Sequence, residues 1–150
     1  MSPALVVIEH ADRDRQLLER ARSFALGEET HLIVLSLATP DEYEEFAETL
    51  DAIGRVEHTT YDEDAILTGL ASDVEDLAAE TLGGDVEYVS ESTVSSDNQA
   101  QDILATAETN DCDHVFVPGR RRSPTGKVVF GDRTQRVILE FDGFVTVSME

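Results

Sequence analysis

Arg120, Arg121, Arg122, Lys127, Arg133 and Arg136 are six of the chain's eleven basic residues, gathered into one short segment. Asp132 is the only acid between positions 119 and 136, so this segment carries +5 and the rest of a chain of net charge −21 carries −26. Cations concentrated in this way can hold an anion, and the local sequence supplies the other parts such a site needs. Val115-Phe116-Val117-Pro118 reads as a strand, Gly119 to Gly131 as a glycine-containing loop, and Asp132 to Phe141 as a helix. Free backbone N–H groups and the positive end of the helix dipole converge where a strand passes through such a loop into a helix, and phosphate binds there. The other account of the same cations is that they neutralise a neighbouring acidic face. Charge alone leaves both open.

Other chemistries find less support. Gly126-Lys127 invites comparison with the phosphate loop of NTPases, which needs Gly-x4-Gly-Lys-Ser/Thr. Position 121 is arginine and position 128 valine, so the first glycine and the hydroxyl that would meet magnesium are both missing. His10, His31, His58 and His114 stand singly and form no ligand spacing with Cys112, so no metal site is predicted. No serine sits in a Gly-x-Ser-x-Gly elbow, and no carboxylate pair stands out from the acidic background. No catalytic residue is assigned, and an enzyme is the weaker class. Cys112 is the only cysteine, which excludes an internal disulfide and fits a reducing compartment. It reads as a structural thiol rather than a reactive one.

The elements that must position the basic segment follow from periodicity. Residues 4–8, Ala-Leu-Val-Val-Ile, form a continuous apolar run rich in β-branched side chains, as a buried parallel strand does. From Asp12, a plausible N-cap, the period becomes helical through Leu17, Leu18, Ala21, Phe24 and Ala25, with Gly27 as the expected stop. His31 to Leu37 is the second strand. Residues 39–64 read either as a short exposed helix or as an ordered loop, with Tyr43, Phe46 and Leu50 spaced among acids. A long helix is expected from about Asp64 to Leu82, ended by Gly83-Gly84, then a strand from Val86 to about Val94. A helix over Gln99 to Glu108, the 113–118 strand, the loop and helix above, and a last strand from Gly143 to Met149 complete the chain. Strands alternating with helices predict an α/β fold: one doubly wound, five-stranded parallel sheet with helices on both faces.

Composition bounds the function. The 150 residues are about one domain, expected over 1–150 with no internal repeat or linker. No apolar run reaches the ~18–20 residues of a membrane span, and Met1 to His10 lacks the basic start of a signal peptide. Both point to a soluble, cytoplasmic protein that makes no membrane contact. Acids outnumber bases 32 to 11, and Lys127 is the only lysine. That balance resembles the proteins of salt-accumulating halophiles, in which screening by salt tolerates the self-repulsion. It also argues against nucleic acid as a partner, because most of the surface would repel a phosphate backbone.

The whole chain, from the strand at 4–8 to Val145-Thr146-Val147, resembles the universal stress protein (UspA-like) family. The most specific part is Phe116-Val117-Pro118-Gly119 to Gly131-Asp132-Arg133-Thr134, followed by Val137-Ile138 and Gly143-Phe144-Val145-Thr146-Val147. The resemblance implies an adenine-nucleotide alpha-hydrolase-like fold and a nucleotide-responsive stress or signalling module, not an enzyme beyond slow ATP hydrolysis. ATP-binding members carry Gly-x2-Gly-x9-Gly-Ser/Thr here. Gly119 matches the first glycine, Arg122 falls on the second, and Gly131 fits the third with the spacing one residue short. Asp132 replaces the Ser/Thr, Thr134 supplies a hydroxyl just beyond, and Gly126 is a shifted candidate for the second glycine.

By the same resemblance, ATP or another adenine nucleotide, accompanied by Mg2+, would lie against Pro118, Gly119, Arg120, Arg121, Arg122, Lys127, Gly131, Asp132, Arg133 and Thr134. Asp12, with His10 as its substitute, would meet the sugar, and Leu37 and Pro118 would line the adenine pocket. The ends of parallel strands face the binding crevice in any doubly wound sheet, which supports the same positions independently. Arginine in place of glycine can block close backbone approach. This leaves a second reading, a family member without nucleotide whose basic loop docks an acidic partner. In either reading the apolar terminal strand, 143–149, at a sheet edge is expected to pair with its copy in a homodimer.

Overall fold

The Ala-Leu-Val-Val-Ile run becomes the middle strand of the sheet, β1 (Ala4–Ile8), with every residue buried. The computed structural model describes residues 2–8, 14–38, 40–57, 63–94, 99–119 and 132–148. After β1 come α1 (Asp14–Glu28), β2 (Leu32–Ala38), α2 (Pro40–Glu57), α3 (Glu63–Leu82), β3 (Tyr88–Val94), α4 (Gln99–Thr109), β4 (His114–Pro118), α5 (Asp132–Glu140) and β5 (Phe144–Ser148). The five strands are parallel, in the order β3-β2-β1-β4-β5. This is the doubly wound α/β sheet that the alternation of periods predicts.

Alternation along each strand divides the core in two. Ala4, Val6 and Ile8 of β1 pack with Leu17, Leu18 and Ala21 of α1 and with Val74, Ala78 and Leu82 of α3. Leu5 and Val7 face the other way, onto Ala100, Ile103 and Ala107 of α4 and Val137 of α5. Helices therefore cover both faces, and each fully buried Leu or Val contributes about 1.5–3 kcal/mol.

Three boundaries differ from expectation. Gly27 lies inside α1, and the helix is closed by Glu29, whose φ of 54° lets Thr30 N–H reach back to Ala25 O at 3.0 Å. Residues 40–57 form an 18-residue helix, settling the choice between helix and loop. Pro40 suits its first turn, and half-buried Tyr43, Phe46, Ala47 and Leu50 recur on one side of a helix that packs against α3. Val86 is buried but precedes β3, which begins at Tyr88. Gly83 does end α3, with φ at 65°.

The last strand is the open edge beside β4, half-buried along most of its length and with Phe144 70% exposed. On the α1 side of this edge the His114 ring stacks on Phe116 at 4.5 Å and lies 4.6 Å from Phe24. His114 Nε2 shares a 2.7 Å hydrogen bond with Thr146 Oγ1, tying β4 to β5 through side chains as well as backbone. Burial lowers the His114 pKa below its ordinary 6.5. Among the described residues, no helix is long and apolar enough to cross a membrane.

Candidate functional site

In this strand order the chain moves from β1 to β2 on one side and later returns to place β4 on the other. The β1–β4 junction is therefore the topological switch point. Connections leaving the two strands diverge there, opening a crevice outside their carboxyl ends. Because all strands are parallel, α1, α4 and α5 each begin at that same edge.

The core is otherwise apolar, but three polar residues in the described part are buried: Asp14 at 2% exposure, Ser36 at 3% and Thr134 at 1%. All three lie at the carboxyl edge. Asp14 is the first residue of α1, where the helix dipole favours a carboxylate. Ser36 pairs in register with Ile8, the last residue of β1. Thr134 stands in the first turn of α5 and donates from Oγ1 to Pro118 O, the last carbonyl of β4, at 2.9 Å. Burial makes a polar group dependent on a partner, and three such groups at one end of an otherwise apolar core set the carboxyl edge apart from the rest of the described interior.

The residues expected at a phosphate site fall into two groups. Pro118 and Gly119 are buried at the end of β4, and Gly119 N–H donates to Ser148 O at 2.9 Å, carrying the β4–β5 pairing one residue further. Asp132 opens α5, whose first N–H groups have no acceptor within the helix. Thr134 commits its proton to Pro118 and so fixes α5 against β4. Arg133, half-buried, donates from Nη1 to Gln99 Oε1 at 3.1 Å and thereby joins α5 to the start of α4. Leu37, 4% exposed, lies near the end of β2 and packs in the core on the α4–α5 side. Asp12, Arg120, Arg121, Arg122, Lys127 and Gly131 lie outside the described residues, as do His10 and Gly126.

Sequence reasoning missed Asp14, Ser36 and Gln99. The first two were within reach. Asp14 shares helical spacing with Leu17, Leu18, Ala21 and Ala25, so it belongs to the inner face of α1. Ser36 shares the period of Leu32 and Val34 in an apolar strand. Gln99 carried no such signal, because its partner lies 34 residues away.

A cleft of about 620 Å³ between α4 and α5 opens at the opposite edge, beside Cys112, and carries Glu108, Asp111, Glu140 and Asp142. Burial and the neighbouring carboxylates of Asp113, Asp111 and Glu91 push the Cys112 thiol up to about 11, so it is protonated and unreactive at neutral pH. No group of three His, Cys, Asp or Glu among the described residues is placed to hold a metal.

With this geometry established, comparison with known proteins is specific. The family model described as the universal stress protein family matches residues 1–147. A universal stress protein from Archaeoglobus fulgidus superposes with a TM-score of 0.62 at 21% identity, covering 98% of each chain. A structure of the universal stress protein from the same organism in complex with dAMP gives a TM-score of 0.64 at 15% identity, covering 98% of this chain and 97% of that one. A universal stress protein in complex with cAMP gives 0.61 at 12% identity, over 99% and 96% of the two chains. At these identities the likeness is one of fold. No curated protein matches the chain in sequence.

Proposed function

The chain belongs to the universal stress protein family, and we propose that it is a nucleotide-responsive stress or signalling module, one domain over 1–150, that takes ATP or another adenine nucleotide at 118–134. The observation that carries this reading is the set of buried polar residues, Asp14, Ser36 and Thr134, around the switch point where α5 begins. In it, the phosphates lie at the first turn of α5 and the backbone of Gly131, beside Gly119, with Mg2+ next to them. Arg120, Arg121, Arg122, Lys127 and Arg133 supply positive charge, and Asp132 and Thr134 shape the helix start. Asp12 meets the sugar, and Leu37 and Pro118 border the base. The relatives solved with dAMP and with cAMP support an adenine nucleotide as the ligand class.

Several arginines in place of one family hydroxyl suit a protein working in concentrated salt, where each exposed charge is screened. The acid excess and single cysteine fit the cytoplasm of a salt-accumulating cell. The module signals by occupancy rather than by turnover, with slow ATP hydrolysis at most.

Calorimetry at molar KCl with Mg2+, on wild type and an Arg121→Ala/Arg122→Ala double variant, tests the reading. The variant is expected to bind ATP about 10- to 100-fold more weakly, the loss expected for one or two charge-assisted contacts. Absence of binding by wild type would overturn it. Arg122 at the family's second glycine and Asp132 at the helix start would then close the site, leaving an interaction module whose basic loop docks an acidic partner.

Self-association through β5 completes the proposal. An edge strand with Phe144 exposed and Val145, Thr146, Val147 and Ser148 only half-buried has backbone groups and apolar surface to share with a copy across a two-fold axis. Val145→Arg or Val147→Arg is expected to yield monomers by light scattering; a variant that remains dimeric excludes this interface.

A further inference from the structure

We propose that two copies of this chain pair their β5 strands antiparallel about a two-fold axis passing through Thr146. The inference rests on the self-association reading above and specifies which residues meet.

The backbone sets the register. Successive residues of a strand direct their N–H and C=O groups alternately to its two sides. Phe144 N–H donates to Asp113 O at 3.0 Å, and Ser148 O accepts from Gly119 N–H at 2.9 Å. Phe144 and Ser148 therefore turn toward β4, and Thr146, in phase with both, does the same. Val145 and Val147 are the residues of β5 whose backbone groups face the open edge. In an antiparallel pair, hydrogen bonds form only where outward-facing residues stand opposite each other. The axis can then pass through residue 145, 146 or 147, and not between residues. An axis at 146 sets Val145 opposite Val147 of the copy, and Val147 opposite its Val145, so every outward-facing residue of β5 is used. An axis at 145 or 147 matches one valine with its own copy and leaves the other opposite position 143 or 149, beyond the ends of β5.

Side chains favour the same axis. Phe144 lies over His114 on the α1 side at 6.0 Å, so Thr146 and Ser148 share that face, while Val145 packs on the α5 side and Val147 follows it. The axis at Thr146 puts valine against valine on one face. On the other it puts threonine against threonine at the axis, flanked by Phe144 against Ser148, and cross-strand pairs of these kinds are favourable. The 2.7 Å bond to His114 holds the Thr146 side chain nearest the axis to its own protomer. Strand β5 also carries no charge, in a chain with 32 acids whose copies repel each other. The opposite edge differs. Glu91 is the middle residue of β3 (Tyr88–Val94), where the same symmetry would set like charges face to face.

Cysteine cross-linking with diamide at molar KCl, with light scattering alongside, tests the register. Residues directly opposite in an antiparallel pair bring their Cβ atoms to about 4.5–5.5 Å, within a small adjustment of a disulfide. Thr146→Cys is expected to run as a covalent dimer on a non-reducing gel, while Val145→Cys and Val147→Cys stay uncrosslinked. Phe144→Cys and Ser148→Cys each place like positions about 13 Å apart along the strands. They are expected to cross-link only when the two variants are mixed and equilibrated, and that mixture tests the axis with Thr146 intact. Wild type, whose Cys112 is buried, is the control expected to stay free. A covalent dimer from Val145→Cys or Val147→Cys alone would overturn the register. A dimeric wild type with no cross-link in any variant or in the mixture would overturn it too, and would move self-association away from β5. A monomeric wild type would overturn both this inference and the reading it rests on.

Discussion

Thr134→Val is expected to destabilise the fold by about 2 kcal/mol and to weaken nucleotide binding at least about tenfold, whereas Thr134→Ser keeps binding near wild type. Valine fills the same volume, so the change isolates the hydroxyl. What is lost is the 2.9 Å bond to Pro118 O, and what remains is a backbone carbonyl at the buried end of β4 without its donor. Leaving a buried acceptor unpaired costs about 1–3 kcal/mol, more than the net worth of the bond itself. Serine keeps the donor and removes a methyl from a residue 1% exposed, which costs about 1 kcal/mol in stability without releasing α5 from β4. The two variants should therefore separate stability from binding. Denaturation and calorimetry on both, at low and molar KCl, check this. A valine variant with wild-type stability would show that the bond does not hold α5.

The salt comparison adds a second discrimination. The ion pairs Arg15–Glu80, Arg22–Asp85 and Arg136–Glu140 join largely exposed side chains and weaken as ions screen them. The Thr134–Pro118 bond joins uncharged groups in the interior, so the valine penalty should persist at molar KCl. For a chain of net charge −21, whose self-repulsion added salt would screen, a neutral fastening at this end of the sheet is insensitive to the ionic strength.

Much of this architecture is legible in the sequence because burial imposes a period. The Ala4–Ile8 run has no polar position, so it had to lie inside a sheet covered on both faces. The spacing of Leu17, Leu18, Ala21 and Ala25 likewise placed α1. Where burial is one-sided and weak, the period blurs. Helix α2 packs mostly half-buried residues against α3 and leaves Val56 81% exposed, so its acids dominated the reading and concealed a full-length helix. The end of α1 was misplaced for a different reason. A left-handed residue is most often glycine, but Glu29 adopts that conformation because Thr30 is held by Ala25 O and, through its side chain, by Ser2 O at 2.8 Å.

The site divides along the same line. Its frame, the end of β4 and the start of α5, was legible because strand, glycine and helix are local signals. How the frame is fastened was not. The Thr134–Pro118 and Arg133–Gln99 bonds span 16 and 34 residues, and only the folded chain brings those partners together. Thr134 was expected from the resemblance as a hydroxyl for phosphate; the geometry gives that hydroxyl to a carbonyl of its own backbone.

Gly143→Ala is expected to cost about 3 kcal/mol and to loosen the whole β5 edge, more than an added methyl at Gly27, Gly83 or Gly84, where a Cβ meets nothing within 4 Å. A Cβ at position 143 would lie 2.6 Å from Asp113 O and 2.7 Å from Phe141 Cε2. The first of these is a backbone atom that also accepts the Phe144 N–H at 3.0 Å, so it cannot retreat without breaking the bond that starts β5. Relief requires shifting β5 away from β4, against the register that pairs His114 with Phe144 and Phe116 with Thr146. The His114–Thr146 hydrogen bond would be lost with it. Gly83→Ala provides the control. Its φ of 65° is a left-handed conformation, but nothing lies within 4 Å of a Cβ there, so the cost should be about 1 kcal/mol from backbone strain alone. Denaturation of both variants at molar KCl reads the difference. Equal costs would mean that the Asp113 contact yields freely and that β5 is not pinned at its start. If β5 also carries self-association, Gly143→Ala should weaken the dimer without altering any residue that faces the partner, because the edge it presents would no longer be straight.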